Sequence, residues 1–345
     1  MRTSALGMVH HVTQQRPDVL FVSDFVNLAE LRALLPPDLR SIPTVSYFHE
    51  SQLTYPIQEG ERRDVHHGMT NMHSVLCADH SLFNSAYHRD HFLGAAKQLL
   101  ARAPDMDLSV WHDQLVARSS VLGLGTNLPD AAPRALSPGE APILVWNHRW
   151  EYDKSPAAFA AILGELKRRG VPFQLVLLGE RFRSTPPALA EIEDRFASQI
   201  LYSGFAETKA AYAKQLLRGH ILLSTARHEF FGLATLEGIR CGLLPVLPDD
   251  LAYPELLPEA LRGPPFLYPR VGDDDGVLAA ADSICSVVEL MRGAGLSGRV
   301  YALAEFVRQF TWSELAPRFD AIFEAAANAH PNRTSSPRAP RPSLD

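Results

Sequence analysis

The stretch His228-Glu229-Phe230-Phe231-Gly232-Leu233-Ala234-Thr235-Leu236-Glu237-Gly238 sets two carboxylates eight residues apart. It follows a short apolar run, Ile221 to Ser224, and reads into a helix that should stop near Gly242. Glu229 is then expected in the loop at a strand's carboxyl end, and Glu237 on the helix. Phe231, Gly232 and Leu233 form the junction, where a helix start offers unpaired N–H groups and a partial positive charge that suit a phosphate. Around such a phosphate, Glu229 can take sugar hydroxyls and Glu237 a ribose. The pattern fits a nucleotide sugar. The bland alternative, an exposed loop carboxylate and a helix salt bridge, leaves the Phe-Gly-Leu frame and the trailing Gly242 unexplained.

Trp146-Asn147-His148-Arg149-Trp150-Glu151-Tyr152-Asp153-Lys154 follows another apolar run and carries two cations. Arg149 can hold a diphosphate through two parallel hydrogen bonds, and Lys154 adds a compact charge. Together they would neutralise a departing nucleoside diphosphate; read alone, they are two solvated surface cations. Thr44-Val45-Ser46-Tyr47-Phe48-His49-Glu50 is a strand ending in a polar pair, from which His49 could hydrogen-bond a transferring sugar or serve as a satisfied core histidine. Glu50, the run Asp24 to Asn27, Asn84 and Ser85 also follow strands and are candidates for lining a cleft. Arg62 and Arg63, in the polar run Gly60 to His67, could touch a phosphate backbone or belong to a solvated loop. His66, His67, His73, His80, His88 and His91 show no ligand spacing with a carboxylate, so no metal is expected.

These loops need strands to place them. In the second half, Ile143–Trp146, Phe173–Leu178, Ile200–Ser203, Ile221–Ser224, Leu244–Leu247 and Pro265–Leu267 read as strands alternating with helices. The clearest helix opens at Ser155-Pro156, with Ser155 as N-cap and Phe159, Ile162, Leu163 and Leu166 on one face. The first half gives fewer strands: Val19–Val22, Val45–Phe48, Ser81–Phe83 and Ser120–Leu122. Tyr301 to Ala327 reads as one closing helix. The fold class is α/β, with a domain over 1–130, a Pro- and Ala-rich linker over 131–141, a doubly wound domain over 142–329, and a disordered tail over 330–345. In open sheets of this kind, ligands bind at the carboxyl ends of the strands.

A chain of 345 residues with 46% hydrophobic and 21% charged residues has material for two packed domains. No apolar run reaches the roughly 18 residues that span a bilayer, and the amino terminus lacks the apolar core of a signal peptide. Cys77, Cys241 and Cys285 lie far apart and read as buried thiols in a reducing, cytoplasmic setting. The net charge of -6 argues against broad nucleic-acid binding but leaves room for a local patch that docks one folded RNA.

Arg149-x4-Lys154 with Glu229-x7-Glu237 resembles the retaining GT-B glycosyltransferases, the large family that includes sucrose synthase and phosphatidylinositol mannosyltransferase, over most of residues 142–327. That resemblance implies two facing Rossmann-like domains and no metal. It places Arg149 and Lys154 on the donor diphosphate, Glu229 at the sugar, Glu237 at the ribose and His49 near the reacting sugar. A narrower resemblance is to the tRNA-queuosine mannosyltransferase group. It rests on Asp24-Phe-Val-Asn-Leu-Ala-Glu-Leu-Arg-Ala-Leu-Leu-Pro36, Tyr47-Phe-His-Glu-Ser-Gln-Leu-Thr-Tyr-Pro56, Ala78-Asp79 with Phe83-Asn-Ser85, and Asn147 to Lys154. It implies mannose transfer from GDP-mannose to queuosine in the anticodon of tRNA-Asp, with nucleotide sugar and tRNA as partners. That group's first domain opens with a strand and a Gly-rich turn ahead of what is here Met1 to Leu6, so the first domain is expected to lack its opening strand-helix unit. The alternatives are a GT-B enzyme acting on a polysaccharide, lipid or small metabolite, and a shortened noncatalytic nucleotide- or tRNA-binding relative.

Overall fold

The computed structural model of the protein describes residues 3–56, 63–180, 186–270, 276–293 and 296–329. The chain divides into two units. One comprises Met1–Phe83, Arg89–Leu122 and Ala316–Asp345; the other comprises Asn84–His88 and Gly123–Leu315.

The first unit begins with α1 (Ser4–Gln15), β1 (Leu20–Ser23), α2 (Leu28–Leu34), β2 (Thr44–Phe48), α3 (Val65–Cys77) and β3 (His80–Phe83). Then come α4 (Ala86–Leu100), α5 (Ser109–Arg118) and β4 (Ser119–Val121). The strands form a parallel sheet in the order β1-β2-β3-β4. Side chains alternate across a strand, and β2 is buried on both faces. Phe48 joins Phe83 and Phe92 in one cluster, while Tyr47 meets Phe319 with ring centroids 5.8 Å apart.

The second unit continues with β5 (Ile143–Asn147), α6 (Pro156–Arg168), β6 (Gln174–Leu178), α7 (Pro187–Arg195), β7 (Ile200–Gly204) and α8 (Lys209–Leu216). It is completed by β8 (Ile221–Leu223), α9 (Leu233–Arg240), β9 (Leu244–Pro248), β10 (Leu267–Tyr268), α10 (Val277–Arg292) and α11 (Leu296–Val307), with α12 (Trp312–Asn328) following. Its sheet runs β10-β9-β8-β5-β6-β7, all parallel. Leu144, Trp146, Leu175 and Leu177 face one hydrophobic cluster, and Val145, Val176 and Leu178 the other. Burial on both faces is why these strands read as unbroken apolar runs. The strand order reverses between β5 and β8. A crevice opens at such a switch point outside the carboxyl ends of the strands. The two loops leaving β5 and β8 are those that carry Arg149 and Lys154, and Glu229.

Several expectations change. Ser155 takes a left-handed backbone (φ 48°) and makes no side-chain cap, so Pro156 alone starts α6. The closing helix is two helices, broken at Thr311, where Thr126 pairs with Thr311 and its N–H donates to the Phe310 carbonyl at 2.8 Å. Beyond the break, residues from 316 onward belong to the first unit. The segment 131–141 is not a free linker, because Leu136 is buried in the second unit's core and its N–H donates to Met291. The chain crosses between units at 83/84, 88/89, 122/123 and 315/316. The strand expected at Pro265–Leu267 starts at Leu267, since proline has no N–H to give a ladder. Cys241 is buried, but Cys77 and Cys285 are only half-buried. The tail 330–345 and Arg62 lie outside the described residues.

Candidate active site

The crevice residues start at the end of β5. Asn147 donates from Nδ2 to the Tyr212 hydroxyl at 2.6 Å and to the Ala234 carbonyl at 3.1 Å. The Tyr212 hydroxyl in turn donates to Glu237 Oε2 at 2.8 Å. A chain of three side chains therefore fixes Glu237 on α9. Burial raises the Glu237 carboxyl above its usual pKa, and the Tyr212 hydroxyl offsets only part of that. Neither Asn147 nor Tyr212 was a candidate from sequence. Tyr212 lies 25 residues before Glu237 and meets it only because α8 and α9 flank neighbouring strands.

The loops after β5 and β8 are stitched together. The Thr225 hydroxyl donates to the Lys154 carbonyl at 2.8 Å, and the Arg227 N–H donates to the Asp153 carbonyl at 2.7 Å. Lys154 is buried, and its ammonium donates to the His228 carbonyl at 2.8 Å and to Glu229 Oε2 at 3.5 Å, while Asp153 Oδ2 stands 3.2 Å away as an ion-pair partner. The other oxygen of Glu229 accepts from Gly232 N–H at 3.0 Å and Phe231 N–H at 3.4 Å. Burial would lower the lysine, but Glu229 and Asp153 hold its pKa above the ordinary value. Burial would likewise raise the Glu229 carboxyl, but Lys154 and the two backbone N–H groups keep it below the usual range. Both partners are charged.

This differs from a lysine waiting for a phosphate, because Lys154 already has two carboxylates for company. The groups whose chemistry suits an anion are then Arg149 and the start of α9. Arg149 is 53% exposed, pairs with Glu151 at 3.2 Å and lies close enough for its charge to act on Lys154. Beyond the two N–H groups taken by Glu229, no hydrogen bond among the described residues engages those of Leu233 and Ala234. Gly232 makes the junction possible. Its φ of +88° is a left-handed conformation that glycine adopts without strain, and a Cβ there would stand 2.8 Å from Leu256 Cδ1. Phe231 is buried against Phe310 and Leu233 is partly buried, so both serve packing.

Asn84 and Ser85 are not surface lining. Ser85 donates to the Phe230 carbonyl at 2.5 Å, His88 stacks on the Phe230 ring at 4.1 Å, and Asn84 holds the His88 ring at 2.8 Å. All these residues belong to the second unit, where they clamp the residue next to Glu229.

In the first unit, His49 is half-exposed and follows β2. Asp24, which follows β1, accepts from both His49 N–H at 3.1 Å and His49 Nδ1 at 3.2 Å. Strand register explains the meeting, since Ser23 pairs with Tyr47 and the next residues are neighbours. Asp24 is fully buried. Asp24 thereby orients the imidazole through Nδ1. Asn27 caps α2 by accepting from Glu30 N–H, Glu50 accepts from Gln52, and Arg63 donates to the Gln52 carbonyl. Those three have local structural partners. Among the described residues, no group of three or more His, Cys, Asp or Glu could hold a metal, and no helix is long and apolar enough to cross a membrane.

Comparison with known proteins adds independent findings. Residues 1–126 match the family model for the N-terminal part of tRNA-queuosine alpha-mannosyltransferase. Over 268 residues the chain is 36% identical to the tRNA-queuosine alpha-mannosyltransferase of Drosophila melanogaster, spanning 75% of this chain and 71% of the fly protein. It is 22% identical over 197 residues to the GDP-mannose:cellobiosyl-diphosphopolyprenol alpha-mannosyltransferase of Xanthomonas campestris, spanning 57% of this chain and 50% of that protein. Among solved structures, sucrose-phosphate synthase from Thermosynechococcus elongatus aligns with a TM-score of 0.70 at 15% identity, covering 94% of this chain and 77% of the synthase. Likeness at that identity speaks for the fold alone, which is GT-B.

Proposed function

We propose a reaction from one premise: the chain belongs to the tRNA-queuosine alpha-mannosyltransferase family. The reaction is transfer of mannose from GDP-mannose to a hydroxyl of queuosine in the anticodon of tRNA-Asp, with retention at the anomeric carbon. Arg149 and the N–H groups of Leu233 and Ala234 take the diphosphate, where negative charge grows as the glycosidic bond breaks. Lys154 holds Glu229 ionised and oriented, so that Glu229 receives hydroxyls of the transferring sugar. Glu237 receives the ribose hydroxyls. His49, oriented by Asp24, contributes a hydrogen-bond acceptor to the sugar. A leaving phosphate oxygen accepts the proton of the attacking hydroxyl, so no separate base is needed. Fixed cations and backbone dipoles stand in for a metal.

The observation that most supports this reading is the contact of buried Lys154 with partly buried Glu229 at 3.5 Å, beside the start of α9 and at the switch point of the sheet. Such a pair is costly to bury, which argues for a use beyond packing. The test is incubation of the protein with GDP-mannose and queuosine-containing tRNA, followed by mass spectrometry of the nucleosides. The expected result is a gain of one hexose on queuosine with the native chain and a loss of orders of magnitude with Glu229→Gln. A folded native chain that adds no hexose overturns the proposal.

A further inference from the structure

His148, the first residue after β5, has no part in the reaction described above, yet its surroundings are unusual. Its backbone is fixed, with the N–H donating to the Leu178 carbonyl at 3.1 Å. The neighbouring strand end also crowds it, since a Cβ on Gly179 would stand 1.8 Å from the His148 carbonyl oxygen. The imidazole stands edge-on to Trp146 with centroids 5.1 Å apart, and the residue is only 7% exposed. It leaves the carboxyl end of β5, which pairs with β8, the strand that leads to Glu229, and the charges of Lys154 and Glu229 both act on it. Burial first, and Lys154 second, push its pKa down to about 3. The ring is therefore neutral throughout the physiological range.

No hydrogen bond among the described residues engages either ring nitrogen, and neither is among the sealed, unpartnered polar atoms of the interior. A packed ring thus keeps open polar edges in a site otherwise stitched by hydrogen bonds. A neutral imidazole has one N–H and one lone pair. A hydroxyl, which donates one proton and accepts others, is its natural complement. A diphosphate would gain more from a cation, and Arg149, the next residue, supplies one.

We propose that His148 hydrogen-bonds a hydroxyl of the transferring sugar and, together with Glu229, determines which hexose the donor carries. This inference rests on the assignment of Glu229 to the sugar. It makes His148 a specificity-determining residue, separate from the groups that hold the nucleotide and the phosphates.

The experiment titrates GDP, GDP-mannose and GDP-glucose calorimetrically into the native chain, His148→Ala and His148→Asn, with melting curves as a folding check. The two sugars differ only in configuration at one carbon, so their affinity ratio reads hydroxyl recognition. In His148→Ala, GDP should bind as in the native chain while GDP-mannose weakens by about tenfold, the scale of one lost hydrogen bond. The mannose-to-glucose ratio should fall with it, and His148→Asn, which keeps a donor and an acceptor, should recover part of the loss. Equal weakening of GDP and GDP-mannose, or an unchanged ratio, overturns the inference. If His148→Ala does not fold, the ratio in His148→Asn decides. Native protein that binds GDP-mannose but leaves tRNA unmodified counts against the proposed reaction and not against His148. Native protein that binds GDP-mannose no better than GDP counts against both.

Discussion

At the scale of single residues, the proposed chemistry depends on a lysine that is already paired. Lys154 has one charge and two carboxylate neighbours, with only 8% of its side chain exposed. The sequence alone supports reading Lys154 as a loop cation whose removal spares the fold. The geometry predicts otherwise, because Lys154→Ala leaves the buried Asp153 and the partly buried Glu229 without a counterion. Loss of one partner of a buried pair costs about 3–5 kcal/mol. Urea unfolding should show a drop of that size, accompanied by loss of transfer; a stability within about 0.5 kcal/mol of native would contradict the pairing. Glu229 carries a pH signature. Its folded pKa is depressed relative to the unfolded chain, so its contribution is present above the ordinary carboxylate range and is lost as pH falls through the depressed value. Melting temperature against pH should therefore fall less steeply below about pH 4.5 in Glu229→Gln than in the native chain. An identical acid limb in both would count against the depressed value.

At the scale of elements, the loop from β8 into α9 is held by its backbone as much as by its charges. Gly232→Ala forces a side chain into a left-handed φ and against Leu256. The strain should cost on the order of 1–3 kcal/mol and move the N–H groups of Leu233 and Ala234. GDP affinity measured by calorimetry should fall by at least about tenfold; unchanged affinity would mean that the start of α9 does not meet the phosphates. Elements of this kind were largely legible from sequence. The strands leading to Asn147, Leu223 and Phe48 were read within a residue or two, because apolar runs bounded by polar turns report burial on both faces. The breaks were harder. Nothing local in Arg308-Gln309-Phe310-Thr311 announces a stop; the helix is interrupted by a backbone pairing with Thr126, nearly two hundred residues earlier in the chain. Asp24, Asn147 and Tyr212 were missed or undervalued for the same reason. Their partners are distant in sequence and are supplied by strand register and helix placement, which single-residue chemistry does not encode.

At the scale of the whole molecule, the chain returns on itself. After building the second unit, it sends α12 back to the first, where Phe319 and Phe323 lie on Phe21 and Tyr47 with centroids 5.1 to 6.3 Å apart. Phe319→Ala should remove about 3–5 kcal/mol from the first unit and leave the second untouched. Amide exchange resolves this, with faster exchange expected in β1 and β2 and none of that change in β5 and β8. Uniform acceleration across both sheets would show that the two units do not unfold separately. The motifs around Glu229 and His49 read as a sugar-nucleotide enzyme with an RNA acceptor, and family membership agrees with that reading. The most direct test supplies GDP-mannose carrying a labelled sugar to the protein with two tRNA-Asp preparations that differ only in whether the anticodon holds queuosine or guanosine. Label should appear on the queuosine tRNA alone; label on neither, or equally on both, would contradict the account.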